Sequence, residues 1–344
     1  METLNSFLCP ERLQPGDLIY ITAPAKAIDE ACVLFAKDYF EQAGFRVRIS
    51  VHCTGRYNYF SGTIEERLKD FQEGIDDPDV KAIICARGGY GCVQLTDSIN
   101  WAGMLRSPKW LIGFSDITVF HQKLQRYGIQ SIHATMPLNF KENSTLSLAT
   151  LLSALNGESY SIEHDGHQHN KPGEAKGTLI GGNLSILYSL IGTDDQPDYS
   201  GSILFVEDLS EQLYHIDRIF HTFRKAGILA QHVDPAAHRL TGAGEEEVDA
   251  LFGDQHGALE VARLRFGMEP IAQGGGVVQG DELVGGDVQD RTHPRIVETQ
   301  GCSRRPNWRI SRARWAGRKL MRLTSPPVAA MTRLSMMANQ MGGT

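Results

Sequence analysis

Residues 80–91 read VKAIICARGGYG: an apolar run carrying one lysine, halted by Arg87 and then by three glycines in four positions. An apolar stretch of this length, bounded by turn residues, suits a strand buried on both faces, and such strands belong to parallel sheets covered by helices. Residues 110–114 (WLIGF) repeat the pattern and lead through Ser115 and Asp116 into a helical stretch ending near Tyr127. Upstream, residues 17–22 (DLIYIT) form another short apolar run that ends in Ala-Pro. Asp29 is placed to cap a helix over residues 30–43, whose Cys32, Phe35, Ala36, Tyr39, Phe40 and Ala43 keep helical spacing, and Gly44 supplies a left-handed stop. Phe45, Val47, Ile49 and Val51 then alternate with polar residues, as in a strand. Thr63 followed by Glu66 is a capping box that opens a helix running to about Gly74. Strand–helix alternation with short connections predicts an α/β protein built on a parallel sheet.

A first domain over residues 1–155 accounts for these elements. Residues 156–177 (NGESYSIEHDGHQHNKPGEAKG) are polar and rich in Gly and His, and read as a linker to a second domain over residues 178–344. That domain opens with residues 178–180, the turn Gly181-Gly182-Asn183 and a helix over 184–191. A buried strand follows at 202–206, with Glu207 and Asp208 at its end. Leu213, Ile216, Ile219, Phe220 and Phe223 fall on one face of a further helix, and Asp208 with Glu211 resembles a capping box for it. After residue 231 the chain changes character. The first 231 residues hold 10 Lys and 10 Arg, whereas residues 232–344 hold 13 Arg and only Lys319, and all ten tyrosines lie at or before Tyr214. Residues 300–344 carry nine basic side chains and no acidic one. Few strand or helix periods stand out there; residues 246–264 give the best helical pattern, interrupted by Gly253 and Gly257. Two readings are open: a basic extension that touches acidic partners, or a reading frame or gene boundary disturbed near residue 231.

Composition removes several function classes. With 344 residues, 41% hydrophobic and 22% charged, the chain can bury a sizeable core, and neither disorder nor a disulfide scaffold fits. A formal charge of −7 argues against a dedicated nucleic-acid binder. No run of about 18 apolar residues is present to span a bilayer. Residues 1–20 carry Glu2, Glu11 and Asp17 and lack the apolar segment of a secretory signal, so a cytoplasmic location is expected. Cys9, Cys32, Cys53, Cys85, Cys92 and Cys302 form no Cys-x-x-Cys pair, which suits reduced thiols rather than a zinc or redox motif.

Ser115 follows a buried strand and precedes a helix, so its hydroxyl is expected at the carboxyl edge of the sheet, where sites in open α/β proteins gather. Free N–H groups at the helix start could stabilise an oxyanion there. Gly113-Phe114-Ser115-Asp116-Ile117 resembles the nucleophile elbow Gly-x-Ser-x-Gly without its second glycine, although Ser or Asp at such a point also serves as a simple N-cap. Residues 87–91 (RGGYG) lack the Gly-x-Gly-x-x-Gly and P-loop patterns, which counts against a nucleotide or flavin binder. The glycines allow either a close backbone approach to a ligand or merely a tight turn. Glu207 could orient an imidazole as the acid of a triad does; Asp208 suits a helix cap. Gly181-Gly182-Asn183 reads as a ligand-facing turn or an N-cap. His164, His167 and His169 sit in the polar segment as solvated residues, and His121, His133, His215 and His221 fall in regular patterns where core or surface roles are the default.

Taken in order, ITAPA near the start, ARGGYG, LIGFSDIT, GTLIGGNLSIL and ILFVEDLSEQLYHIDRIF resemble the LD-carboxypeptidase family over about residues 10–231. These are serine peptidases of murein tetrapeptides, with relatives that confer microcin resistance, so hydrolysis of a peptidyl-nucleotide antibiotic is an alternative expectation for this chain within the same chemistry. The resemblance implies a flavodoxin-like N-terminal domain and a smaller β-rich, swivelling barrel-like C-terminal domain; after residue 231 the chain departs from the family pattern, where the two readings above stay open. It implies Ser115 as nucleophile, Glu207 as triad acid, and the backbone N–H groups of Gly89 and Asp116 as oxyanion hole. Arg87, Gly88, Tyr90 and Asn183 would then face substrate. Neither metal nor organic cofactor is implied; a murein peptide is the expected partner, and pairing as homodimers is a family habit. The family's general-base His lies roughly 70 residues after the Glu, where this chain reads Pro270-Ile-Ala-Gln-Gly-Gly-Gly276; His256 and His293 are the nearest alternatives. A chain without that base would bind a muropeptide and not turn it over.

Overall fold

The computed structural model describes residues 7–165, 175–209, 211–231, 308–315 and 318–324. Five short strands, β1 (Leu18–Thr22), β2 (Arg46–Ile49), β3 (Val80–Cys85), β4 (Trp110–Gly113) and β5 (Ile132–His133), form one sheet in the order β2-β1-β3-β4-β5. Every pairing in it is parallel. This is the flavodoxin-like order, in which the chain winds one way from β1 to β2 and the other way from β1 to β3. The apolar runs read from sequence become strands buried on both faces: all five residues of β1 and all four of β4 are buried. Alternate residues of β1 feed different cores. Ile19 and Ile21 pack with Val33, Ala36 and Phe40 of α1 (Glu30–Gln42) and with Leu148, Leu151 and Leu155 of α5 (Thr145–Leu155). Leu18 and Tyr20 pack on the other face with Phe71 and Ile75 of α2 (Ile64–Asp76) and Phe120 and Leu124 of α4 (Thr118–Arg126). A short α3 (Ala102–Arg106) precedes β4.

The capping box at Thr63 is present: its hydroxyl accepts from the Glu66 N–H at 3.2 Å while the Glu66 carboxylate accepts from the Thr63 N–H at 2.8 Å. Asp29 occupies the N-cap position of α1 but its side chain makes no capping bond.

A second sheet has the order β6-β10-β9-β7-β8. It comprises β6 (Ser161–Asp165), β7 (Ala175–Asn183), β8 (Ser202–Glu207), β9 (Trp308–Trp315) and β10 (Arg318–Thr324). β7 and β8 are parallel; the remaining pairs are antiparallel. Two expectations change here. Residues 156–177, read as a linker, contain β6 and the first residues of β7. β6 is an edge strand of polar composition, the kind that hydropathy alone assigns to a loop. Residues 308–324, where no period stood out, form two strands separated by Ala316-Gly317, a two-residue connection of hairpin length. The proposed helix over 246–264 lies outside the described residues. Helices α6 (Leu184–Ser189) and α7 (Leu213–Lys225) cover one side of β7 and β8, burying Leu184, Leu187, Ile219 and Phe223 with Ile180 and Tyr199.

Burial also shapes the alkaline limit of the fold. It pushes the Cys9 thiol up to about 11 and the Cys53 thiol up to about 12 from an ordinary 9.0. Cys85 and Cys92 lie well above that value for the same reason. Above about pH 9 the unfolded chain releases thiol protons that the folded chain keeps, so stability falls as pH rises, by up to about 1.4 kcal/mol per pH unit for each thiol. Lys109, pushed down to about 8 by burial, acts in the opposite sense between pH 8 and 10.5. One amine stands against four thiols, and a urea midpoint that drops between about pH 9 and 11 is the expected result. A midpoint unchanged over that range would show that these thiols ionise as readily folded as unfolded.

Candidate active site

After β4 the chain turns sharply into a helix. Ser115 begins a single 3₁₀ turn (Ser115–Ile117) that runs into α4, and its backbone sits at φ +59°, in the left-handed region. A non-glycine residue there stores roughly 1–3 kcal/mol of strain, which persists only where the surroundings enforce it. The surroundings do so tightly. A Cβ on Gly113 would lie 2.8 Å from Ile117 Cγ1, so the turn closes only with glycine before the serine. The elbow's second glycine is replaced by Ile117, and the close approach comes instead from another strand. A Cβ on Gly88 would lie 3.1 Å from Ser115 Cβ and 3.2 Å from the Asp116 nitrogen. The turn after β3 is therefore laid directly against Ser115, which is half-buried.

That turn is held from both ends. The buried Asp116 carboxylate accepts the Cys92 N–H at 2.9 Å. Burial raises the Asp116 pKa, opposed by the Cys92 hydrogen bonds and by the charge of Arg67. Arg67, itself buried, donates to the carbonyls of Gly91 (3.2 Å), Pro24 (2.8 Å) and Gly62 (3.2 Å) and to Gln94 Oε1 (2.7 Å). Its guanidinium also lies 4.5 Å over the Phe60 ring. Gly89, at φ +118°, is exposed at the apex of the turn. Arg87 donates to the Ala27 carbonyl at 3.0 Å, tying the turn to the loop after β1. Tyr90 is exposed and lies with its ring 6.1 Å from Phe60.

The second sheet brings in the remaining residues through α4. The Asn183 N–H donates to Thr118 Oγ1 at 3.0 Å, Gln122 Nε2 donates to the Gly181 carbonyl at 2.8 Å, and Lys123 pairs with Asp195 at 2.6 Å. A Cβ on Gly182 would lie 2.6 Å from Thr118 Cγ2, so β7 approaches the helix that follows Ser115 backbone-first. Asn183 and Glu207 are register partners at the ends of β7 and β8. Asn183 caps α6 by accepting the Ile186 N–H at 3.1 Å, and its amide donates to Asp208 at 3.1 Å. The expected capping box at Asp208 is absent. α7 starts later, after Gln212, and Asp208 instead accepts from Ser185 N–H at 2.9 Å at the start of α6.

Glu207 is buried, and its carboxylate lies 3.6 Å from His133 Nε2. His133 ends β5 in register with Gly113, and its ring stacks at 5.5 Å on that of His121. His121 Nε2 donates to the Gly113 carbonyl at 2.9 Å and its Nδ1 lies 2.8 Å from Ser131 Oγ. Two buried histidines thus connect Glu207 to the strand that delivers Ser115. Sequence reasoning assigned them only default roles. The signal available was that His133 follows an apolar Ile at the end of a fifth strand, at the same sheet edge as Ser115. His215 and His221 lie on α7 and pair with Glu211, just before the helix, and with Asp217 within it. The serine, the glycine turn and Glu207's strand are thus gathered at one edge. His256, His293 and residues 270–276 lie outside the described residues.

Comparison with known proteins places this arrangement among relatives. The LD-carboxypeptidase N-terminal domain model matches residues 19–134, and the C-terminal domain model matches residues 176–233. A putative carboxypeptidase of Synechocystis is 33% identical over 273 residues, covering 76% of this chain and 90% of that protein. The murein tetrapeptide carboxypeptidase of Pseudomonas aeruginosa is 32% identical over 268 residues, covering 72% and 86%. Among solved structures, the muramoyltetrapeptide carboxypeptidase from Oxalobacter formigenes superposes with a TM-score of 0.64 at 24% identity, over 92% of this chain and 100% of that one.

Proposed function

Because the chain belongs to the LD-carboxypeptidase family of serine peptidases, we propose that it releases the terminal D-alanine of a murein tetrapeptide, in the cytoplasm, with Ser115 as nucleophile. The observation that carries this reading is the left-handed backbone of Ser115 with Gly88 packed against it. A strained serine at the carboxyl edge of a parallel sheet, with helix-start N–H groups beside it, is the geometry of an acyl-transfer nucleophile. In the proposed reaction Ser115 Oγ attacks the carbonyl carbon joining the L-centre of the stem diamino acid to D-alanine. The N–H groups of Gly89 and Asp116 receive the charge that develops on the carbonyl oxygen. An imidazole takes the serine proton and passes it to the departing amine of D-alanine, and Glu207 orients that ring. Water then hydrolyses the acyl-serine. Arg87, Gly88, Tyr90 and Asn183 frame the substrate, Arg87 and Asn183 by shaping the backbone around the site, since both side chains bond within the protein.

A second reading has its own support: a muropeptide-binding chain without turnover. Residues 270–276, where the family base is expected, contain no His, and the C-terminal domain match stops at residue 233, beside the composition change at 231. D-alanine release from a murein tetrapeptide by the purified full-length chain separates the two. Catalytic release supports the peptidase, and saturable binding with no D-alanine released supports the binder.

A further inference from the structure

A peptidase that removes the last residue of a peptide must recognise a free carboxylate three bonds from the carbonyl carbon it attacks. In the flavodoxin-like order the ligand crevice opens where the winding reverses, between the ends of β1 and β3. The two loops facing each other across it are residues 23–28, after β1, and the glycine turn after β3. One cation from the first loop reaches the second. The Lys26 stem crosses Gly89 so closely that a Cβ on that glycine would lie 2.6 Å from Lys26 Cδ and 3.0 Å from Cγ. Gly88, the preceding residue of the same turn, backs onto Ser115. The lysine and the serine therefore flank one two-glycine segment.

Lys26 is also unusually well held for a lysine. Its backbone bridges to Phe60, and the Ala27 N–H donates to the Tyr59 carbonyl at 3.1 Å. Its Nζ rests 4.0 Å over the Tyr59 ring. Stem packing and the ring face together remove much of the rotamer freedom that a lysine ordinarily loses on gripping an anion. Among the described residues Lys26 enters no ion pair with an acidic side chain, so its charge is available to a ligand. Arg87, the other cation nearby, is partly buried and donates to Ala27.

Resting on the carboxypeptidase reading, we propose that Lys26 is the specificity-determining residue that binds the substrate's terminal carboxylate. It places that group so that the preceding amide lies over Ser115. Glycine at position 89 then has a second purpose, since any side chain there would push the lysine off its line.

The test uses the full-length chain carrying Ser115→Ala, so that binding is read apart from turnover. Calorimetry compares a murein tetrapeptide having a free C-terminal carboxylate with the same peptide ended in an amide. With Lys26 present, the acid is expected to bind about tenfold or more tighter than the amide, and the gap narrows with added salt. Adding Lys26→Met should bring the two peptides within about twofold by weakening the acid alone, while Lys26→Arg retains most of the preference. A preference that survives Lys26→Met, or one lost only in Arg87→Ala, overturns the assignment and leaves the peptidase reading standing. Failure of both peptides to bind the Lys26 protein overturns the muropeptide reading itself and this inference with it. Melting temperature accompanies each variant, and an unchanged value for Lys26→Met ties its effect to the ligand.

Discussion

Replacing Ser115 with Ala is expected to reduce D-alanine release by about 10⁴–10⁶-fold while the chain stays folded. No neighbouring hydroxyl or thiol takes over, because the turn geometry that presents this atom belongs to one position. Ser115 sits at φ +59° between a glycine-dependent strand end and the 3₁₀ turn that starts α4. The variant carries an internal check on the strain argument. Ala pays the same left-handed penalty as Ser, whereas Gly does not, so Ser115→Gly should be more stable than Ser115→Ala by about 1 kcal/mol. Both should be inactive. Equal stability would mean that the turn is not strained, and undiminished release by Ser115→Ala would remove the nucleophile assignment altogether.

The elements most readable from sequence were those in which local rules and tertiary packing agree. β1, β3 and β4 are buried on both faces, so their apolar runs needed no knowledge of the partner strand. The Thr63–Glu66 box is a contact between residues three apart and is legible for that reason. Ser115 and the glycine turn were legible as separate pieces; that Gly88 packs on Ser115 was not, because they follow different strands and only the parallel pairing of β3 with β4 brings them together. The same holds for Glu207 and His133. Their 3.6 Å approach depends on how β7 and β8 dock against α4, a relation with no local signature. Lys26 has no sequence signature because its surroundings are backbone: a missing Cβ at Gly89 and a bridge to Phe60. β6 was hidden by its edge position, and Asp208 by serving the helix before it instead of the one after it.

The docking of the second sheet leads to the other large effect, on folding. Gly181→Ala is expected to lower the melting temperature by about 6–12 °C and to abolish activity. A Cβ at this position would lie 1.8 Å from the Phe205 carbonyl oxygen and 2.7 Å from its carbon. Both atoms are backbone of the paired strand, so no side-chain rotation relieves the overlap. β7 and β8 must part until that gap reaches roughly 3 Å, at a cost of about 3 kcal/mol, the upper range for a single core substitution; for 150–250 residues each kcal/mol moves the midpoint by about 2–4 °C. The displacement falls where the site is least tolerant. Gly181 pairs with Phe205 two residues before Asn183 pairs with Glu207, and its carbonyl is the acceptor for Gln122 of α4. Parting the strands therefore shifts Glu207 away from His133 and loosens the sheet from the helix that follows Ser115. Gly192→Ala provides the control: it has a positive φ of +79° and open space around it, so it carries only the left-handed penalty of about 1–2 kcal/mol. If the two variants melt together and Gly181→Ala keeps its activity, close strand contact at Gly181 is not what positions Glu207.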